Sequence, residues 1–242
     1  MAMNDKIATY IEGLDSMLGG GIPQGIVVLI AGTPGTGKSI LCMEILYKNA
    51  LKGKRCLYLN LEQNDGRLER QMKQFGWDPT KVPSLKIVSV DTSNASVVDF
   101  ILTEIKKSDY DIIALDSLDS ISSSPAMVEE LATQSFESVA QYTIPTVMDT
   151  VTIGRMKLKR IFNSIAKSKA TAFVTSERVE GGQGISRDTI SEFLSDGIIL
   201  LTGTTIGKKL MRTIEVSKMR FTEIPGGKYD LQITKQGLAV SG

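Results

Sequence analysis

Between an apolar run and a helix pattern the chain reads GTPGTGKS, Gly32 to Ser39, and no other stretch constrains the fold as tightly. The octapeptide matches G-x-x-x-x-G-K-[ST] without a gap. Glycines in these places let a loop curl so that backbone N–H groups point inward at phosphates, and the N-terminus of a following helix adds partial positive charge. Such a loop needs a buried strand before it and a helix after it. The sequence supplies both. IVVLIAG, residues 26–32, is short, β-branched and ends in glycine, and from about Lys38 to Leu51 the residues Leu41, Ile45 and Leu46 fall on one helical side. The expected nucleotide cradle is Gly32, Thr33, Pro34, Gly35, Thr36, Gly37, Lys38, Ser39 and Ile40. Lys38 is expected to reach the β- and γ-phosphates and Ser39 the Mg²⁺.

Beyond the loop, strand and helix patterns alternate. RCLYLNLE is a strand, DGRLERQMKQFGW a helix led by an Asp cap, LKIVSV a strand, SVVDFILTEIKKS a helix and DIIALDS a strand; later MKLKRIFNSIAKSKA is helical and TAFVTSE a strand. This order predicts an α/β fold with a mostly parallel sheet and helices on both faces. The tail changes character. GIILLTG, LMRTIEVSKMR and KYDLQIT are separated only by turn chemistry, which predicts an antiparallel extension of the sheet. No linker rich in Pro, Gly or Ser divides the chain, so residues 1–242 read as a single domain with a short tail at 1–10.

Composition excludes several chemistries. Histidine is absent, which removes imidazole acid–base catalysis, Ser-His-Asp triads and the common zinc sites. The formal charge of +1 gives no global field toward nucleic acid or membrane. No run of apolar residues is long enough to span a bilayer, and MAMNDKIATY lacks the apolar core of a secretory signal. Cys42 and Cys56 lie among apolar neighbours and read as buried free thiols of a cytoplasmic protein.

The remaining candidates are carboxylates and cations. A magnesium–nucleotide site needs a carboxylate beside the loop, and Asp116 ends the apolar run DIIALD. Hydrolysis needs a group to orient or deprotonate water, and Glu62 ends the strand LYLNLEQ; the next two side chains, Gln63 and Asn64, are neutral. In TIEVSKMRF a strand would set Lys218 and Arg220 on one face, two cations awaiting an anion or simply a solvated strand end.

The segments IEGLDSMLGGGIPQG, AGTPGTGKS, LNLEQ, LDSLDS, TSERVEGG, FLSDGIILL and EVSKMR stand in the order found in one group of ATPases. Over roughly residues 10–240 the chain resembles the KaiC-like branch of the RecA superfamily, including the single-domain archaeal proteins described as RadA paralogues. The resemblance implies a RecA-type P-loop core, ATP and Mg²⁺ as ligands, and a homo-oligomer, expected as a hexameric ring with ATP between subunits. It also implies that Lys218 and Arg220 reach the γ-phosphate held by a neighbour. The expected activity is hydrolysis of ATP. The alternative is a recombination accessory protein of the RadA-paralogue type that binds single-stranded DNA and uses ATP as an assembly switch. Relatives in the circadian branch carry two adjacent acids where this chain has Glu62 and Gln63, so slow hydrolysis is expected. RecA-type recombinases often place a glutamine where this chain has Thr175 and Ser176, which speaks against coupling to DNA.

The middle of the chain departs furthest. From Ser108 to Gly154 there is no Lys or Arg, while Asp109, Asp111, Asp116, Asp119, Glu129, Glu130, Glu137 and Asp149 are acidic. An acidic insert at 118–154 should repel phosphates and reads as a flap for a protein partner, a subunit-packing element or an unpartnered acidic surface. Arg155, Lys157, Lys159, Arg160, Lys167 and Lys169 follow without an acid between them. Leu158, Ile161, Phe162 and Ile165 fall on one helical side, so these bases are expected on the other. The later loop EGGQGISRD, with Arg178 and Arg187, is a weak DNA signal.

Overall fold

The computed structural model describes residues 5–62, 66–124, 150–178 and 184–242. Nine strands form one sheet in the order β11-β10-β9-β8-β3-β7-β6-β4-β5. Its parallel part comprises β3 (Val27–Gly32), β4 (Cys56–Asn60), β5 (Leu85–Ser89), β6 (Ile112–Asp116), β7 (Thr171–Glu177) and β8 (Gly197–Ile206). The antiparallel part adds β9 (Lys209–Met219), β10 (Tyr229–Thr234) and β11 (Gly237–Ser241). Both halves of the expected sheet are therefore present. A small N-terminal pair, β1 (Lys6–Ile7) with β2 (Ile22–Pro23), stands apart from it, with α1 (Leu14–Met17) between its strands.

Side-chain alternation along each strand builds two cores. Val28 and Ile30 of β3, with Tyr58 of β4, Ala114 of β6 and Phe173 of β7, pack on the side of α2 (Lys38–Ala50) and α3 (Arg67–Gln74). Val27, Leu29 and Ala31 face the opposite way, toward α4 (Val97–Lys106), α5 (Leu118–Ser122) and α6 (Thr150–Ser168). Strands buried on both faces explain why the sequence shows continuous apolar runs rather than alternation. Cys42 and Cys56 are buried and free, as expected. Among the described residues no helix is long and apolar enough to cross a membrane.

Several expectations shift. The helix after Asp65 begins at Arg67, its N-cap position is Gly66 with φ 80°, and Asp65 lies outside the described residues. The acidic insert supplies α5 at its start and the first turn of α6 at its end; residues 125–149, with Glu129, Glu130, Glu137 and Asp149, lie outside the described residues. On α6, Leu158, Ile161, Phe162 and Ile165 are buried as expected, but Lys157 joins them, only 1% exposed, with Nζ donating to the Ser124 carbonyl and hydroxyl. The strand carrying Asp116 is not the neighbour of the loop strand, because β7 lies between β3 and β6.

Candidate active site

The loop forms where the sequence places it. Gly35 and Gly37 have φ of 78° and 107°, which side-chain-bearing residues adopt only with strain. At Gly32 a Cβ would sit 2.4 Å from the Leu201 carbonyl oxygen, so this position admits no side chain. The buried Thr36 hydroxyl donates to the Thr33 carbonyl at 2.8 Å and staples the loop across its turn. Lys38 Nζ donates to the carbonyls of Gly32 (2.9 Å) and Thr33 (3.3 Å), which keeps the ammonium over the concave side of the loop. A cavity of about 180 Å³ opens there, lined by Gly35, Gly37, Lys38, Ser39, Ile40 and Gln71. Gln71 comes from α3, a helix that sequence patterning gave no reason to bring to the loop. Arg212 of β9 donates from Nε to the Gly35 carbonyl at 3.0 Å, a cation that the sequence also did not single out.

Asp116 is buried at the end of β6, and both carboxylate oxygens are gripped by hydroxyls. Tyr58 of β4 donates to one and Thr175 of β7 to the other, each at 2.6 Å. Thr175 thus ties β6 to the strand that separates it from β3. The electrostatics tie Asp116 to the loop. Burial pushes the Cys42 thiol well above its ordinary range; the Asp116 charge raises it further, while Lys38, one helical turn before Cys42, opposes the rise. Burial likewise raises the Tyr58 phenol well above its usual value, and Asp116 adds to it.

Glu62 stands two residues beyond the end of β4, exposed, and its carboxylate accepts from the Ser117 hydroxyl. The parallel register Asn60↔Asp116 and the bond from Leu61 N–H to the Asp116 carbonyl (2.7 Å) bring these two chain exits together. The peptide joining Asp116 to Ser117 is cis. Gln63 and Asn64 lie outside the described residues. Thr175 and Ser176 are buried within β7; Ser176 donates to Asp119 at 3.0 Å, and the Glu177 N–H donates to the other Asp119 oxygen at 2.6 Å. Burial raises the Asp119 carboxyl to about 6.

Lys218 and Arg220 are brought together, but away from this chain's own loop. Gly32 pairs with Leu201 and Leu201 with Ile214, whereas Lys218 pairs with Ile198, toward the other end of β8. That separation is about 10 Å along the strand and grows for Arg220. Lys218 Nζ donates to the Ser195 carbonyl at 2.5 Å. Arg220 donates to the Asp196 carboxylate at 2.7 Å, in the turn after α7 (Ser191–Leu194). Both cations are partly solvent-accessible.

Compared with known proteins, the chain matches the family described as ATPase: KaiC over residues 7–242. It is 27% identical over 237 residues to the circadian clock oscillator protein KaiC of Synechococcus elongatus, covering 97% of this chain and 44% of that protein. It therefore spans less than half the length of that clock relative. A UPF0273 protein of Saccharolobus solfataricus is 30% identical over 243 residues, covering 97% of this chain and 82% of the relative. The crystal structure of a KaiC-like protein from Pyrococcus horikoshii superposes with a TM-score of 0.80 at 25% identity, covering 98% and 99% of the two chains.

Proposed function

Since this chain belongs to the KaiC family of ATPases, we propose that it binds Mg²⁺ and ATP in the cradle Gly32–Ile40 and hydrolyses the terminal phosphate. The observation that carries this reading is the common edge of the sheet. The phosphate loop leaves the end of β3, Asp116 ends β6, and Glu62 follows the end of β4, all in parallel register. The donor set suits the ligands: a glycine-shaped concavity with an ammonium over it, the Ser39 hydroxyl in the cavity wall, and a carboxylate held in place by two hydroxyls. Ser39 and Asp116 would hold the ion, which when bound neutralises charge on the phosphates. Lys38 exchanges its two loop carbonyls for phosphate oxygens, and Glu62 orients the attacking water.

The position of Lys218 and Arg220 supports an oligomer in which they complete a neighbour's site, since their own loop is at the far end of the strand. We read the assembly as a ring, with a hexamer as the expected size. The sheet draws strands from Val27 to Ser241, which supports treating residues 1–242 as one ATPase domain. Buried, unpaired thiols fit a cytoplasmic setting. The basic stretch gives nucleic acid little support: Lys157 is buried, Arg155 donates to Thr189 and Arg160 donates to Asp99, so its exposed lysines are Lys159, Lys167 and Lys169.

The test is an ATP-binding and turnover series. Lys38→Ala should abolish nucleotide binding. Glu62→Gln should bind ATP yet turn over at least about tenfold slower. Retained tight binding in the first, or near-normal turnover in the second, removes the corresponding role. Wild-type turnover should be indifferent to single-stranded DNA at low and moderate salt; salt-sensitive stimulation would move the protein to the recombination side.

A further inference from the structure

We propose that Ser117 is a positioning residue for hydrolysis, its hydroxyl fixing the rotamer of Glu62 relative to the Asp116 carboxylate. This deepens the reading above and rests on Glu62 being the water-orienting group.

Ser117 occupies the N-cap position of α5, where a serine hydroxyl ordinarily accepts from the backbone of the first turn. Here it makes no such bond. The side chain is fully buried, and its hydroxyl donates instead to Glu62. A hydroxyl withdrawn from the helix it would cap, and aimed at a carboxylate on another strand's exit, needs a reason beyond local structure. The backbone makes the encounter obligatory. With Asn60 opposite Asp116, and Leu61 N–H bonded to the Asp116 carbonyl at 2.7 Å, Glu62 and Ser117 leave the sheet side by side.

Glu62 needs such a partner. It is exposed, just past the last paired residue of its strand, and a free glutamate there samples many rotamers. A donor to a carboxylate is among the stronger hydrogen bonds and selects one of them. Ser117 is also bonded covalently to Asp116, whose oxygens are fixed by Tyr58 and Thr175. The water-side and metal-side carboxylates are thereby referenced to one rigid frame. Small misplacements at a reacting centre can cost about 10²-fold in rate.

Turnover and ATP affinity should be measured for Ser117→Ala, Ser117→Thr, Glu62→Gln and Ser117→Ala/Glu62→Gln. Ser117→Ala should lower kcat about tenfold while KM and ATP affinity stay within about twofold, the signature of a lost positioning contact. Ser117→Thr, which keeps the hydroxyl, should recover most of the rate. In the Glu62→Gln background Ser117→Ala should add nothing, because the two act as a unit. A full-speed Ser117→Ala beside a slow Glu62→Gln overturns the link alone. Multiplicative losses in the double variant, or lost ATP affinity in Ser117→Ala, overturn it by placing the serine's effect elsewhere. A full-speed Glu62→Gln overturns the assignment of Glu62 itself, and this inference with it.

Discussion

Asp119 shows how a single residue carries the cost of the edge on which the site is built. Its carboxylate is largely desolvated on α5, and burial is the main cause that lifts it from 3.8 to about 6; the Glu177 N–H and the Ser176 hydroxyl oppose the rise, while the charges of Asp188 and Glu177 reinforce it. A carboxyl that binds its proton more tightly folded than unfolded favours the native state at low pH. That advantage is complete below about 4, is lost as pH rises toward 6, and changes no further above it. The swing is at most about 3 kcal/mol at 1.36 kcal/mol per unit. Urea unfolding of wild type and Asp119→Asn across this range should show the stability difference moving in the variant's favour between pH 4 and 6 and then levelling. A difference that stays flat with pH would remove Asp119 as the titrating group. The same residue illustrates what escapes a reading of the sequence. LDSLDS gives Asp119 no distinguishing mark, because its partners Ser176 and Glu177 arrive from a strand more than fifty residues later.

Elements defined by local pattern were legible, and elements defined by pairing were not. The loop could be read because its glycines, Lys38 and Ser39 are contiguous and its flanking strand and helix follow directly. Asp116 and Glu62 could be read because apolar runs end at them. Strand order could not: that β7 separates β3 from β6 depends on a crossover that no periodicity records. For the same reason the bonds made by Tyr58, Thr175, Ser117 and Arg212 gave no signal, since each forms only through a non-local register. β11 gave no signal in the sequence, yet it forms one edge of the sheet and is anchored on α2. There the buried Glu44 accepts from Leu238 N–H at 2.7 Å and from Lys48 at 2.5 Å. Gly237 makes that docking close, with φ 135° and a would-be Cβ only 2.4 Å from the Glu44 carboxylate. Gly237→Ala should therefore destabilise the protein by about 1–3 kcal/mol and expose the terminal hairpin to protease. Ile233 of that hairpin faces Gly37, so ATP affinity should fall a few-fold as well. An unchanged melting temperature and digestion pattern would show that the hairpin tolerates the displacement.

At the scale of the whole molecule the sheet works as a spacer with a nucleotide site at one end of its strands and a pair of cations toward the other. On the proposed reading, these cations complete a phosphate site when the chain meets another copy in the head-to-tail manner that closes into rings. ATP touching both copies then stabilises the assembly by mass action, and cationic contacts at a transferring phosphoryl group are worth about 10³–10⁵ in rate. Arg220, itself exposed, pairs with the half-buried Asp196 in the isolated chain and would exchange it for phosphate, leaving Asp196 its bond from Val27 N–H. The decisive experiment mixes two disabled variants. In Glu62→Gln oligomers every site lacks its water-orienting group; in Arg220→Ala oligomers every site lacks its incoming cation. In a mixed ring, a loop from an Arg220→Ala copy facing a cation from a Glu62→Gln copy is fully intact. Random equal mixing makes about one site in four of this kind, so turnover should recover to about a quarter of the wild-type rate. Light scattering on differently tagged subunits must confirm that the rings are mixed. Recovery in verified mixed rings requires a cation delivered between copies, whereas rings that stay as slow as either parent would return Lys218 and Arg220 to the solvated end of a strand.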